Sequence, residues 1–138
     1  MDRNRAMAFL SEGRRTGKIA TVQDDGRPHV VPVWFVVDDG DVVFTTWHES
    51  IKARNLARDG RAALTVDMSE PPYACLMVEG PVAISDDPIE ARRIATAAGA
   101  RYMGEERAEE FGQRNGVSGE LVIRLTIDNF VGADDMAE

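Results

Sequence analysis

The residues with the types and spacing for chemistry lie mostly between Gly26 and Arg58. A run Val-Val-Phe ends in Thr45 and Thr46, and Ser50 opens the basic segment Ile-Lys-Ala-Arg-Asn-Leu-Ala-Arg. Hydroxyls at a strand end, beside a helix start that bears Lys52, form a place to hold an anion such as phosphate. Pro32, Val33 and Trp34 offer flat apolar surface upstream, and Pro32 inside a strand implies an edge or a pairing break. Arg54 and Arg58 add positive charge there; Arg14, Arg15 and Lys18 form a second basic group. Each residue also has a plainer reading. Taken alone, Lys52 is a solvated helix lysine sooner than a ligand, and Trp34 a packing aromatic. Arg54 has Asp59 or Asp67 as an ion-pair partner, Asn55 braces the helix, and Met77 is as readily a core methionine.

Other chemistries find little support. No Gly-x-Gly-x-x-Gly follows a strand and there is no Walker loop. His29 and His48, the two histidines, have no carboxylate or thiol at ligand spacing. The single cysteine, Cys75, excludes an internal disulfide and a thiolate metal cluster. A Ser-His-Asp site would lack its nucleophile elbow, and Glu109-Glu110 reads as solvated helix surface. The net charge of −8 argues against a nucleic-acid partner. No apolar run approaches bilayer length, and no apolar signal core follows Met-Asp-Arg-Asn-Arg, so the expectation is a cytoplasmic protein without a membrane partner.

The elements that must position these residues follow from turns and periodicity. With 138 residues, 43% apolar and 29% charged, the chain supports one core and is read as one domain over 1–138, with 132–138 as an acidic tail. Asp2–Glu12 reads as a helix, and Lys18–Val22, Arg27–Val37 and Asp41–Thr46 as strands joined by Asp-Asp-Gly turns. A helix capped by Ser50 runs to Arg58, followed by strands at Arg61–Asp67 and Tyr73–Ser85, the latter bent at Gly80-Pro81. Asp87-Pro88 starts a helix to about Met103, expected to bury Ile89, Ile94, Ala95 and Ala98. A charged helical piece spans 105–111, and Leu121, Ile123, Leu125 and Ile127 alternate along a last strand, 118–127. A closing segment spans Asn129–Gly132. About six strands with short connections predict a mainly β fold with inserted helices, an antiparallel, closed or half-closed small barrel. Its interior is too small for a ligand, which would lie outside, against a second subunit.

Several of these runs occur together in a known family. Gly17-Lys-Ile-Ala-Thr, Asp25-Gly-Arg-Pro-His, Pro32-Val-Trp-Phe, Lys52-Ala-Arg-Asn-Leu, Arg58-Asp-Gly-Arg-Ala-Ala and Val78-Glu-Gly-Pro-Val resemble the flavin and deazaflavin oxidoreductases related to pyridoxamine phosphate oxidase. The likeness spans roughly Phe9 to Gly132 and is nearest to the actinobacterial type B members that use coenzyme F420. It implies a six-stranded split β-barrel (the FMN-binding split barrel), a homodimer with cofactors between subunits. Carried over, Lys52 becomes the cofactor-phosphate ligand, with Thr45, Thr46 and Ser50 as helpers, and Arg54 and Asn55 nearby. Pro32, Val33 and Trp34 back the ring, and Met77 reaches it from the partner subunit. Ser50 and Ile51 stand where pyridoxamine phosphate oxidases have a basic residue before the lysine, and their basic C-terminal segment has no counterpart. Both departures favour F420.

The implied activity is hydride transfer from reduced deazaflavin to a small-molecule electron acceptor: a conjugated enone, a quinone or a tetrapyrrole-like compound. No side-chain nucleophile is required, and Tyr73, Arg101 and His48 stand as unranked proton donors. The alternatives are an FMN-dependent reductase or oxidase on the same barrel, and a non-catalytic carrier of F420 or a tetrapyrrole.

Overall fold

The computed structural model of the chain describes residues 1–137. Helix α1 (Arg3–Ser11) is capped by the Asp2 side chain, which accepts from Arg5 N, and it buries Ala6, Phe9 and Leu10. A hairpin of β1 (Gly17–Val22) and β2 (Pro28–Val33) follows, then a second of β3 (Val36–Asp38) and β4 (Asp41–Trp47). After α2 (Ile51–Arg58) come β5 (Arg61–Asp67) and β6 (Cys75–Ser85). Helix α3 (Pro88–Met103) has Asp87 as its cap and a proline in its first turn. A 3-10 turn at Glu105–Arg107 leads into α4 (Ala108–Asn115), and β7 (Glu120–Leu125) and β8 (Asn129–Ala133) complete the sheet.

All pairings are antiparallel, in the order β2-β1-β5-β6-β7-β4-β3, with β8 also on β6. The bend in β6 lets one strand serve both halves. Residues Cys75–Pro81 pair with β5 and Cys75–Glu79 with β8, whereas Val82–Ser85 pair with β7. Gly80 sits at the changeover because a Cβ there would lie 1.8 Å from the Thr126 carbonyl oxygen. On either side, Thr126 N donates to Pro81 O (3.0 Å) and Asp128 N to Glu79 O (3.0 Å). Strands β2 and β3 lie at opposite edges of the path yet are joined by two residues, Trp34 and Phe35, so the sheet must curl into a half-barrel. Its inside is filled by Phe9, Leu10, Ile19, Phe35, Phe44, Leu64, Leu76 and Leu125, each at most 1% exposed. Helix α3 covers the outside of β4 and β7, where Val43 and Val122 meet Ala91 and Ile94.

The mainly β, antiparallel half-barrel agrees with the expectation, and Arg61–Asp67 falls on β5 to the residue. The count differs: six expected strands appear as eight segments. The run expected as Arg27–Val37 breaks at Trp34-Phe35, and the closing segment is a true strand on β6. Pro32 is not the break. It stays in register opposite Lys18, tolerated because β2 is an edge strand with one neighbour. Ile89 is 81% exposed rather than buried, since α3 turns Ala91, Ile94, Ala95 and Ala98 to the sheet. No helix among the described residues is long and apolar enough to cross a membrane.

Candidate functional site

Alternation along β4 sends its two threonines to opposite sides. Thr46 is 4% exposed, and its Oγ1 lies 2.9 Å from Ser50 Oγ. Ser50 Oγ also accepts from Ala53 N at 3.2 Å, which caps α2 and leaves the next turn free to project Lys52. Thr45 faces the other way. It lines a cavity of about 200 Å3 together with Lys52, Pro32, Val33 and Trp34. The far wall comes from Ala95 and Ala98 of α3, Phe111 and Asn115 of α4, and Glu120 at the start of β7. Trp34 is held by stacking on Tyr102, with centroids 5.2 Å apart and planes 8° from parallel, and by the edge-on ring of Phe111 at 5.4 Å.

Five of the expected site residues therefore meet in one cavity; the others are placed elsewhere. Thr46 and Ser50 use their hydroxyls on each other and on the helix cap, away from the cavity wall. Asn55 is 5% exposed, and its Nδ2 donates to Thr21 Oγ1 at 3.0 Å, tying α2 to β1. Arg54 points to the opposite side of α2 and lies 4.0 Å from Glu49, not against Asp59 or Asp67. Asp67 pairs instead with Lys18 at 3.2 Å. Met77 sits opposite Thr65 on the outer face of the sheet, since Leu76 and Val78 take the core side of β6. None of the three candidate proton donors lines the cavity. Arg101 is committed elsewhere, donating to the carbonyls of Leu10 (2.7 Å), Phe35 (2.9 Å) and Gly13 (3.1 Å).

Lys52 and Glu120 are the two charged side chains of the cavity. Burial pushes the Lys52 ammonium below the usual lysine range, and the Glu120 carboxylate partly restores it. Burial likewise pushes Glu120 up, opposed by Lys52. Neither group hydrogen-bonds the other. An ammonium and a threonine lining one half-buried hollow suit a phosphate group. The hollow is below the roughly 300–1,000 Å3 of pockets that enclose a drug-sized ligand. It is large enough for a phosphate group and too small to enclose a fused ring system as well. Among the described residues no group of histidine, cysteine and carboxylates could hold a metal ion.

Half of this wall was invisible from the sequence. Phe111, as the aromatic of a charged helical stretch, carried a weak signal, but Glu120 reaches Lys52 because β7 pairs with β4 in a register that sets Glu120 opposite Trp47.

A curled antiparallel sheet with inserted helices, and a cavity where a basic helix starts, define a split-barrel fold. The chain matches the pyridoxamine 5'-phosphate oxidase family over residues 4–131 and belongs to that family. Among solved structures it is similar to a conserved hypothetical protein of Mycobacterium tuberculosis (26% identity, TM-score 0.84, covering 97% of this chain and 85% of that one). It is also similar to an F420 reductase (29% identity, TM-score 0.70, covering 89% and 94%). A heme storage protein of Vibrio cholerae shares the fold at 19% identity (TM-score 0.71, covering 95% and 94%). No functionally curated protein sequence matches the chain.

Proposed function

We propose that this protein is an F420-dependent oxidoreductase that reduces a conjugated organic acceptor. The observation that carries the reading is the single cavity that unites Lys52 and Thr45 with Pro32, Val33 and Trp34. Lys52 and Thr45 hold the cofactor phosphate by charge-assisted and hydroxyl hydrogen bonds. Pro32 and Trp34, the latter fixed by Tyr102 and Phe111, orient and shield one side of the ring. When bound, reduced F420 supplies a hydride for an electron-poor double bond such as that of an enone, a quinone or a tetrapyrrole. The protein's part is to align the two and exclude water; hydride transfer requires no side-chain nucleophile. The F420 reductase at 29% identity supports F420 over FMN, as do Ser50 and Ile51 where the resemblance to pyridoxamine phosphate oxidases would call for a second basic residue.

The cofactor ring is expected to be closed off by a second copy of the chain. The outer face of β2-β1-β5-β6-β8 carries Ala20, Ala63 and Met77, with Val22, Val30 and Val131 45–64% exposed among Lys18, Asp67 and Glu79, a surface with an apolar centre suited to a homodimer.

The test is a fluorescence titration of wild type and Lys52→Ala with F420 and with FMN. F420 is expected to bind more tightly than FMN, and the variant to lose about tenfold or more in F420 affinity with an unchanged melting temperature. Preferred FMN binding would move the assignment to an FMN-dependent reductase or oxidase. Tight F420 binding without turnover on any acceptor would make the protein a carrier. Equal F420 affinity in the variant would remove Lys52 from the site.

A further inference from the structure

We propose that Glu120 sets the charge of the ligand that the Lys52 cavity accepts, admitting a phosphodiester monoanion and discriminating against a phosphomonoester dianion. The inference rests on the phosphate reading of that cavity and adds to it a residue that no motif marks. Lys52 comes from the first turn of α2 and Glu120 from the start of β7, and they face one hollow of about 200 Å3. The remaining wall is apolar or uncharged: Thr45 from β4, Trp34 beyond the end of β2, Ala95 from α3, Asn115 from α4. No second cation is available there to offset the carboxylate, and Arg54 lies on the other side of α2, beside Glu49.

The charge balance then decides. An ammonium and a carboxylate that share a hollow without closing into a hydrogen bond leave the ammonium able to bind, at a site whose own net charge is near zero. Lys52 attracts a dianion twice as strongly as a monoanion, and Glu120 repels it twice as strongly; in a half-buried place, where both terms are larger than in water, the carboxylate cancels the advantage that the ammonium alone would give the dianion. Burial raises Glu120, so on acidification its carboxylate is lost earlier than an ordinary glutamate's, which relaxes the repulsion. The site should therefore bind anions better as pH falls, with Glu120 as the responsible group.

Glu120→Gln keeps the side chain's size and tests this directly. Wild type, Glu120→Gln and Lys52→Ala are titrated with FMN as the phosphomonoester and F420 as the phosphodiester, at near-neutral pH and again in mild acid. Folding is checked by circular dichroism and melting temperature. The expected result is that Glu120→Gln gains about tenfold or more for FMN, a smaller factor for F420, and no longer tightens on F420 as pH is lowered. Equal gains for both ligands, or none, would overturn the role of Glu120 while leaving the Lys52 reading intact, provided that Lys52→Ala still weakens F420. Loss of neither ligand in Lys52→Ala would overturn both.

Discussion

At the scale of single residues, the end of β4 and the cap of α2 divide their hydroxyls between holding structure and facing the cavity. Thr45 opens onto the cavity, while Thr46 and Ser50 bond each other and cap α2. Ser50→Ala removes the cap and leaves the buried Thr46 hydroxyl without its partner. A loss of roughly 2 kcal/mol in urea unfolding is expected, about half from each term. F420 affinity should fall far less than in Lys52→Ala; an equal fall would return Ser50 to the phosphate shell. Arg101 is a second case of a reactive-looking residue with a structural task. Its guanidinium fork joins three carbonyls, from the end of α1 and the β2–β3 junction, and lies over the Phe35 ring at 4.6 Å. Arg101→Ala should cost roughly 2–3 kcal/mol, and Arg101→Lys should recover only part because an ammonium lacks the fork.

At the scale of elements, α3 is fastened to the sheet at both ends. Near its start, Arg93 donates both Nη atoms to Asp38 (3.0 and 3.1 Å), at the β3 end of the hairpin with β4. Arg124 of β7 joins Asp38 at 2.6 Å and Asp41 at 3.2 Å, and Glu90 completes the group. Hydrogen bonds from Arg93 first, then from Arg124, hold the Asp38 carboxyl well below the usual carboxylate range. A folded-state value below the unfolded one means stability that is complete above about pH 4 and is lost as pH falls toward the folded value. Asp38→Asn should therefore be less stable than wild type near neutral pH, and should lose less than wild type between about pH 5 and pH 2. Urea midpoints across that range measure it; parallel curves for the two proteins would refute it. Because Ala95 and Ala98 of α3 form part of the Lys52 cavity, this fastening also fixes the cavity wall.

At the scale of the whole molecule, the half-barrel leaves an outer face with an apolar centre that a second copy is proposed to cover. Met77 and Ala63 lie on that face, away from the core. Sedimentation of the wild type should give a dimer at micromolar concentration. Ala63→Glu should shift it to monomer, and F420 affinity should fall with it if the partner closes the site. A monomeric wild type would end the proposal of a shared cleft.

What the chain determined by itself is whatever depends on neighbours in sequence. Asp-Asp-Gly turns, the Ser50 and Asp87 caps, the alternation of Ile123, Leu125 and Ile127, and the bend at Gly80-Pro81 act over a few residues and so were legible. That Lys52, Thr45 and Pro32-Val33-Trp34 lie together was legible through family resemblance, and local chemistry alone left each with a plainer reading. What only the tertiary structure decided depends on register and helix facing. Trp34-Phe35 interrupts the expected strand because the chain must there cross from one sheet edge to the other. Ile89 is exposed because α3 presents its small residues to β4 and β7. Asn55 turns inward because Thr21 of β1 waits for it, 34 residues away in the chain. Glu120 shares a cavity with Lys52 only through the pairing of β7 with β4, and no local pattern carries a juxtaposition made by sheet register.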